Sequence, residues 1–449
     1  MKKLCLILSG LVLACMGLSS CYNDTDDSRE HILKIYNWAD YIGEGVLDDF
    51  CKYYKEHTGK DIRIVYQTFD INEIMLTKIE RGHEDFDVVC PSEYIIERML
   101  RKKLLLPIDT LFLNSPNYMH NVAPYIRQQI DRLTVPGDKP ASRYAVCYMW
   151  GTAGLLYNKQ YLREEDLKSW GCLWDKRYAG KILMKDSYRD SYGTAMLYAC
   201  RRQLAEHKAT VPDLMNDYSP AAMDTVEKYL KLLKPNVAGW EADFGKEMMT
   251  KGKAWINMTW SGDAQWAIEE AAEVGVELGY TVPEEGSNVW YDGWVIPKYA
   301  RNREAASYFI NFLCRPDIAL RNMEATGYVS SIASKDILDA SIDETAAYVD
   351  ASYFFGPEAS HARLLNTKYP DLSVIERCAM IRDFGDKTVN VLEIWSRVKG
   401  DNLNGGIVIL ILGVVGGLSA FQIRRRYILH QRKNMQNRRH WRRKRAAHA

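Results

Sequence analysis

The fold is decided by residues 32–91, which read ILKIYNWADYIGEGVLDDFCKYYKEHTGKDIRIVYQTFDINEIMLTKIERGHEDFDVVCP. Short apolar runs alternate here with longer amphipathic segments, and glycines follow both of those segments. Apolar runs between turn residues favour buried strands, whereas an apolar period near 3.6 residues favours helices. The predicted elements are strand Ile32–Tyr36, helix Val46–His57, strand Ile62–Tyr66, helix Ile71–Arg81 and strand Phe86–Cys90. This βαβαβ order indicates an α/β fold with a largely parallel sheet.

A second α/β region follows a proline-rich connection and an extended run over residues 144–157. Both that run and Trp294–Pro297 are predicted to cross between two lobes, with hinge glycines at 151 and 293. The predicted boundaries place residues 31–149 and 294–330 in lobe 1, and residues 150–293 and 331–400 in lobe 2.

The N-terminal residues 1–21 predict a lipoprotein signal peptide. Two lysines precede the apolar stretch Leu4–Leu18, and Leu18-Ser19-Ser20-Cys21 resembles a bacterial lipobox. Cys21 is therefore the expected lipidation site, with Cys15 and a plain secretory signal as the alternatives. Residues 22–30 are polar and predict a flexible tether.

A C-terminal transmembrane helix is predicted over residues 405–423, because about 20 apolar residues span a bilayer. Residues 424–449 carry eleven Lys and Arg and no acid, so the positive-inside rule makes this tail cytoplasmic. The body then lies on the periplasmic side of the cytoplasmic membrane. The alternative for residues 405–423 is a buried core helix. Lipid headgroups account for the basic tail, so no nucleic-acid partner is expected.

The charge of the body differs from that of the tail and favours cationic ligands. Residues 22–423 hold 46 basic and 58 acidic residues, a net charge of −12. The sequence contains no HExxH, GxSxG or P-loop pattern and no clustered Cys and His, so no enzyme activity, cofactor or metal is predicted. Seven widely spaced cysteines beyond Cys21 do not suggest a disulfide framework.

Aromatic residues accompany acids at several predicted strand ends, where ligands of α/β sheets bind. Carboxylates can pair with ammonium groups, and aromatic faces can pack on methylene chains and attract cations. This combination suits a flexible polyamine. The alternative is that each tryptophan fills the core and each acid occupies a turn. The candidate positions are Trp38, Asp40, Tyr41, Ser92, Tyr94, Trp260, Asp263, Trp290, Asp292 and Tyr328.

Several short motifs in this order resemble those of bacterial spermidine/putrescine-binding proteins, over roughly residues 31–398. They are Tyr36-Asn37-Trp38-Ala39-Asp40-Tyr41, Phe86-Asp87-Val88-Val89-Cys90-Pro91-Ser92-Glu93-Tyr94, Trp260-Ser261-Gly262-Asp263, Trp290-Tyr291-Asp292, Asn311-Phe312-Leu313, Arg315-Pro316-Asp317 and Thr326-Gly327-Tyr328. The resemblance implies a two-lobe, type II periplasmic-binding-protein fold that closes on its ligand. It also implies a monomer that delivers polyamine to the permease subunits of an ABC importer.

The resemblance assigns expected roles to the candidate residues. Four of them are acids that would hold ammonium groups: Asp40, Asp190, Asp263 and Asp292. The remaining candidates would line the walls: Trp38, Tyr41, Ser92, Tyr94, Trp260, Trp290 and Tyr328. The sequence departs from the family at Ser187, where some members carry a further acid, and near Ile381, where some carry a glutamine.

Two other functions remain open at this stage. The same lobes could form a membrane-anchored ectodomain that senses polyamine, or they could bind another organic cation. An enzyme acting on amines is disfavoured because no nucleophile or cofactor motif is present.

Overall fold

The strands are interleaved with helices, in the order that the sequence predicts. In this computed structural model, residues 29–241 and 244–400 are described. The predicted signal peptide, transmembrane span and basic tail lie outside the described residues, as does most of the tether. The strands are β1 Ile32–Trp38, β2 Arg63–Phe69, β3 Val88–Val89, β4 Leu105–Leu106, β5 Ala145–Asn158, β6 Ile182–Lys185, β7 Val237–Glu241, β8 Ile256–Trp260, β9 Leu278–Thr281, β10 Ser287–Pro297, β11 Val329–Ser330, β12 Tyr348–Val349, β13 Ala362–Arg363 and β14 Cys378–Ala379.

The helices range from single turns to four turns. They span Val46–Thr58, Asn72–Glu80, Glu93–Arg101, Pro124–Asp131, Tyr188–Ala199, Arg201–Ala205, Val211–Met215, Pro220–Leu233, Gly245–Thr250, Ser261–Glu273, Arg303–Leu313, Pro316–Thr326, Lys335–Ser341, Ser352–Phe355, Leu372–Glu376 and Thr388–Gly400. The last of these belongs to a separate unit that begins at Thr388, whereas the preceding residues form one unit. In the part of the chain that the structure describes, no helix is both long and apolar enough to cross a membrane.

The predicted βαβαβ order is confirmed at the N-terminus. Strand β1 pairs in parallel with β2 on one side and with β3 on the other. Strand β3 is shorter than the predicted Phe86–Cys90, because only Val88 and Val89 pair with β1 as strand residues. Its flanks still follow β1, since the Asp87 and Cys90 amides donate to the Lys34 and Tyr36 carbonyls.

Two long antiparallel strands run through the centre of the sheet. Its order is β2-β1-β3-β10-β5-β8-β6-β7 among the described residues. Near one end, β10 pairs with β3, whereas the other end of β5 pairs with β8. The parallel strands on the two sides are therefore joined through β5 and β10, which is where the sequence predicted its crossings. Trp294–Pro297 is not a separate crossing segment but the end of β10.

The register between β5 and β10 shifts at Asp292 and Gly293. Asp292 faces Met149 and Gly293 faces Cys147, so Tyr148 is the extra residue of a β-bulge. Bulges redirect side chains, and this one lies directly beside an acid that the sequence selected as a ligand-binding residue. The fold thus places Asp292 at the centre of the molecule, between the two sets of parallel strands.

Candidate functional site

Asp292 lies buried at the middle of the sheet. Asp292 is 7% exposed, and the Tyr41 hydroxyl donates a hydrogen bond to its Oδ2 at 2.9 Å. Ser92 forms an isolated antiparallel bridge with it. Burial raises the pKa of Asp292 to about 6, against the lowering effect of hydrogen bonds from Ser92 and Tyr41. Three residues that are far apart in sequence therefore meet, as their motifs predicted.

Asp190 forms a second acidic centre on the helix Tyr188–Ala199, and it is 5% exposed. Ser187 caps this helix, and its hydroxyl donates to Asp190 Oδ2 at 2.6 Å. The Trp260 indole N–H donates to the same oxygen at 3.2 Å, and the Asn288 amide donates to Oδ1 at 3.0 Å. Ser187, which stands where the resemblance implies a further acid in some family members, thus orients Asp190.

Glu93 is a third buried acid, which the sequence analysis did not select. It is 2% exposed, and its Oε2 accepts a hydrogen bond from the Tyr291 amide at 3.1 Å. Burial is the main cause that raises the pKa of Glu93 to about 8, and the charges of Asp292 and Asp190 raise it further. Glu93 is therefore mostly neutral at pH 7 and lies close enough to both aspartates to sense their charge.

Asp292, Asp190 and Glu93 are called the unpaired acids, and they differ from the other buried acids of the described chain. Among the described residues, no Lys, Arg or His forms an ion pair with any of them. The other buried acids do have basic partners, in the pairs Asp87–Arg29, Glu97–Arg382, Glu241–Lys185 and Asp383–Arg98. A buried carboxylate without a counter-charge is costly. The unpaired acids therefore form a site that a cation would stabilise.

Aromatic rings enclose this site. The rings of Trp290 and Tyr328 meet edge to face with centroids 5.3 Å apart, and Tyr41 meets Tyr328 at 5.8 Å. The rings of Trp290 and Tyr328 each lie against a glycine, where a side chain would not fit. A Cβ at Gly151 would lie 2.8 Å from the Trp290 ring, and a Cβ at Gly262 would lie 2.2 Å from the Tyr328 ring. The glycines thus let two aromatic side chains pack flat against the backbone.

Asp263 is engaged by a basic side chain, unlike Asp190 and Asp292. Lys185 Nζ lies 2.6 Å from Asp263 Oδ2, and the Tyr328 hydroxyl donates to Oδ1 at 2.8 Å. Lys185 also lies 3.5 Å from Glu241 Oε1 and 4.5 Å from the centroid of the Trp260 ring. Lys185 was not among the residues that the sequence analysis selected.

Tyr94 contacts an arginine that the sequence analysis also left without a role. The Arg189 guanidinium lies 3.6 Å from the centroid of the Tyr94 ring, and Asn72 donates to the Tyr94 hydroxyl at 2.8 Å. Glu73 Oε1 accepts from the Tyr188 hydroxyl at 2.8 Å and from Arg189 at 3.2 Å. These contacts join the helix Asn72–Glu80 to the helix that carries Asp190.

Trp38 and Asp40 are less closely integrated with the other predicted residues. Trp38 packs on Phe69 with ring centroids 4.5 Å apart, and its indole N–H is buried without a partner in the described chain. Asp40 is exposed and has a positive φ of 51°. Within the described ranges, no hydrogen bond or ion pair connects Asp40 to another predicted site residue.

The chemistry of the site favours binding of an organic dication. Two unpaired aspartates supply two negative charges, and the neighbouring aromatic faces can cover methylene groups. The residues described in the structure contain no group of three or more His, Cys, Asp or Glu side chains arranged to hold a metal ion. All seven cysteines within the described ranges are free thiols.

Comparisons with known proteins agree with this fold. Residues 49–349 match the family model described as bacterial extracellular solute-binding protein. The chain belongs to this family. Its fold is a two-lobe α/β fold of the periplasmic-binding-protein kind, as its structural relatives have.

Three relatives define the likeness more closely. The chain is 29% identical to the spermidine/putrescine-binding periplasmic protein of Escherichia coli over 339 residues, which cover 75% of this chain and 87% of that protein. It is 27% identical to the putrescine-binding periplasmic protein PotF of E. coli over 377 residues, which cover 81% and 93%. The crystal structure of the substrate-binding protein PotD of a spermidine/putrescine ABC transporter from Streptococcus pneumoniae aligns with a TM-score of 0.61 and 28% identity, covering 82% of this chain and 98% of that chain. The resemblance stated from the motifs is confirmed.

Proposed function

We propose that this protein is an extracytoplasmic solute-binding protein that captures linear polyamines such as putrescine and spermidine for an ABC importer. The observation that carries the proposal is the set of unpaired acids, because Asp190 and Asp292 are buried beside aromatic rings without a basic partner in the described chain. The names of the relatives support the same ligand class.

Each aspartate is proposed to hold one ammonium group of the ligand. Asp292 would accept from the first ammonium beside the Trp290 ring, and Asp190 would accept from the second beside Trp260. Charge-assisted hydrogen bonds contribute about 1.5–3 kcal/mol each, and a cation–π contact adds about 0.5–2 kcal/mol. After the costs of ordering the ligand, such contacts can supply the roughly −8 kcal/mol that a micromolar Kd requires.

Closure of the lobes is proposed to complete the site, because its residues come from both sets of strands. Tyr41 and Ser92 follow β1 and β3, whereas Asp190 and Trp260 follow β6 or end β8. A ligand that contacts both sides binds the closed form better than the open form, and this difference shifts the population towards closure. The closed complex is then the form that the permease subunits would recognise.

Binding is expected to weaken at acidic pH because Asp292 must be ionised to hold an ammonium group. Its pKa is about 6 without ligand, and a bound ammonium favours the carboxylate, so the complex has the lower pKa. The affinity for putrescine should therefore fall about tenfold from pH 7 to pH 5, since this pKa lies in the middle of that interval. The amines remain charged throughout, with pKa values of about 10. Calorimetric titrations at five pH values would measure the change.

Asp292→Asn is the matched control for the pH series, because its side chain does not titrate. Its weaker affinity should stay nearly constant from pH 7 to pH 5. An equal pH dependence in both proteins would contradict the assignment of the titration to Asp292.

Membrane attachment is proposed to be double, through lipid on Cys21 and through residues 405–423. Cys21→Ser alone should leave the protein in the membrane fraction, and truncation after Lys399 alone should do the same. The two changes together should release it, as measured by fractionation and immunoblotting. Release by Cys21→Ser alone would rule out the C-terminal segment as a working anchor.

A further inference from the structure

Lys185 contacts Asp263, an acid that was expected from the sequence to hold a ligand ammonium. Its side chain is only 6% exposed, and its ammonium lies 2.6 Å from Asp263 and 3.5 Å from Glu241. The same ammonium lies over the face of Trp260. A carboxylate pair and an aromatic face are the contacts that a polyamine ammonium prefers. The ammonium group of Lys185 thus makes the kind of contacts that a ligand ammonium would make.

A small cavity adjoins this lysine and is lined by acceptors. Its volume is ≈ 30 Å³, and its lining includes Lys185, Glu241, Asn257, Thr259 and Asp263. Asn257 Oδ1 and Thr259 Oγ1 are buried and have no hydrogen-bond partner among the described residues. The cavity therefore offers more acceptor atoms than Lys185 satisfies.

The described lining of the cavity carries charged groups of both signs, and Lys185 is one of them. Glu241 and Asp263 supply two negative charges, and Lys185 and Lys246 supply two positive charges. Removal of Lys185 would leave Asp263 without the ammonium group that it now contacts, and a ligand ammonium group could replace it. The unoccupied acceptors and the vacated position of the side chain would receive that group.

Trp260 connects this cavity to the proposed polyamine site. Its indole N–H donates to Asp190, while its ring face contacts the Lys185 ammonium. The Trp260 indole ring thus lies between the Lys185 ammonium and Asp190, where the second ammonium group of the ligand is proposed to bind. A polyamine held at Asp292 and Asp190 would meet Lys185 if its chain continued past Trp260.

We propose that Lys185 is a specificity-determining residue that limits the site to two ammonium groups and so favours diamines over triamines. This inference rests on the proposed function. Asp263 is then unavailable to the ligand because Lys185 already neutralises it. The wild-type protein should bind spermidine no more tightly than putrescine, although spermidine carries one more charge.

Titration calorimetry of the full-length protein with putrescine and spermidine tests the inference. Lys185→Ala removes the ammonium and opens space, so the ratio of the spermidine affinity to the putrescine affinity should rise about tenfold or more. Lys185→Arg keeps the positive charge at Asp263 in a larger side chain, so the ratio should stay closer to the wild-type value than in Lys185→Ala. Thermal melting monitors the fold of each variant.

A double variant identifies the group that receives the third ammonium. The gain in Lys185→Ala should be lost in Lys185→Ala/Asp263→Asn. If the single variant folds poorly, the double variant also removes the acid that Lys185 contacts in the wild type. A wild-type protein that binds spermidine more than about twofold tighter than putrescine would overturn the inference without any variant. An unchanged ratio in a folded Lys185→Ala protein would overturn it too, while putrescine binding would leave the proposed function intact. Failure of the wild type to bind either amine would overturn both.

Discussion

Replacement of Asp292 by asparagine is expected to weaken putrescine binding by about 2 kcal/mol or more, which is roughly 30-fold in Kd. Asparagine has the same shape but cannot supply the negative charge. The carboxylate is buried, and Tyr41 and Ser92 satisfy only part of its hydrogen-bonding capacity. The buried ammonium of the ligand would lose its counter-charge, so most of the change should appear in the dissociation rate. Calorimetry and stopped-flow measurements on the full-length protein would give both quantities.

Asp317→Asn is the control for this change, because it removes one negative charge at the surface. Asp317 is exposed and pairs with Arg315 at 2.8 Å. Its replacement should change the affinity less than twofold, since exposed ion pairs and distant charges contribute little in salt. If both variants lost affinity equally, the effect of Asp292 would reflect only the overall charge of the body. If Asp292→Asn kept wild-type affinity with an unchanged melting temperature, Asp292 would not belong to the site.

Replacement of Asp190 by asparagine is expected to have an effect of similar size at the other end of the ligand. Ser187, Trp260 and Asn288 all donate to the Asp190 carboxylate. An asparagine amide can accept at only one of its two terminal atoms, so at least one donor would also lose its partner. We expect a loss of about 2 kcal/mol or more in the affinity for putrescine, with a shift in tryptophan fluorescence on binding because Trp260 is affected directly. Titration followed by fluorescence would measure both changes.

The two aspartates are expected to act on different ammonium groups, and a monoamine distinguishes this from a shared role. Asp190→Asn combined with Asp292→Asn should weaken putrescine binding about 1,000-fold, from a Kd of about 1 μM to about 1 mM, because the two losses add when the groups contact different parts of the ligand. A monoamine such as butylamine needs only one carboxylate, so one of the two single variants should leave its weak binding nearly unchanged. Equal losses of butylamine affinity in both single variants would contradict the assignment of one ammonium group to each aspartate.

The local pattern of the sequence was sufficient to predict the N-terminal half of the first lobe. Strand β1 and the helix Val46–Thr58 lie within two residues of their predicted bounds, because apolar spacing indicates both elements and Gly59 ends the helix. The helix Tyr188–Ala199 was not predicted. Its buried face includes arginine, aspartate, serine and tyrosine, so it lacks the apolar stripe by which helices are recognised.

The sequence selected candidate residues at strand ends and did not select residues whose surroundings depend on distant partners. Tyr41, Ser92 and Asp292 come together as the motifs indicated. Glu93 was missed because a glutamate in the first turn of a helix is usually exposed, and its negative charge interacts favourably with the helix dipole. Here that first turn packs against β10, and the amide of Tyr291 binds the carboxylate. Its position between two selected residues was the signal that could have revealed it.

The engagement of Asp263 could not be predicted from the sequence, because its partner is 78 residues away. Lys185 ends the apolar strand Ile182–Lys185, so its position at the carboxyl end of a buried strand met the same criterion that selected the acids. Only acids and aromatic residues were selected by that criterion. A basic residue at the same kind of position can neutralise an acid that would otherwise hold a cationic ligand.

The most direct test of the central claim is a calorimetric comparison of putrescine with butylamine on the full-length protein at pH 7. If Asp190 and Asp292 each hold one ammonium group, putrescine should bind with one site per chain and a Kd of about 1 μM or below, equivalent to about −8 kcal/mol. Butylamine, which has a similar apolar chain but a single charge, should bind at least about 30-fold more weakly. Equal affinities for the two amines, or no binding of putrescine up to millimolar concentration, would contradict the account.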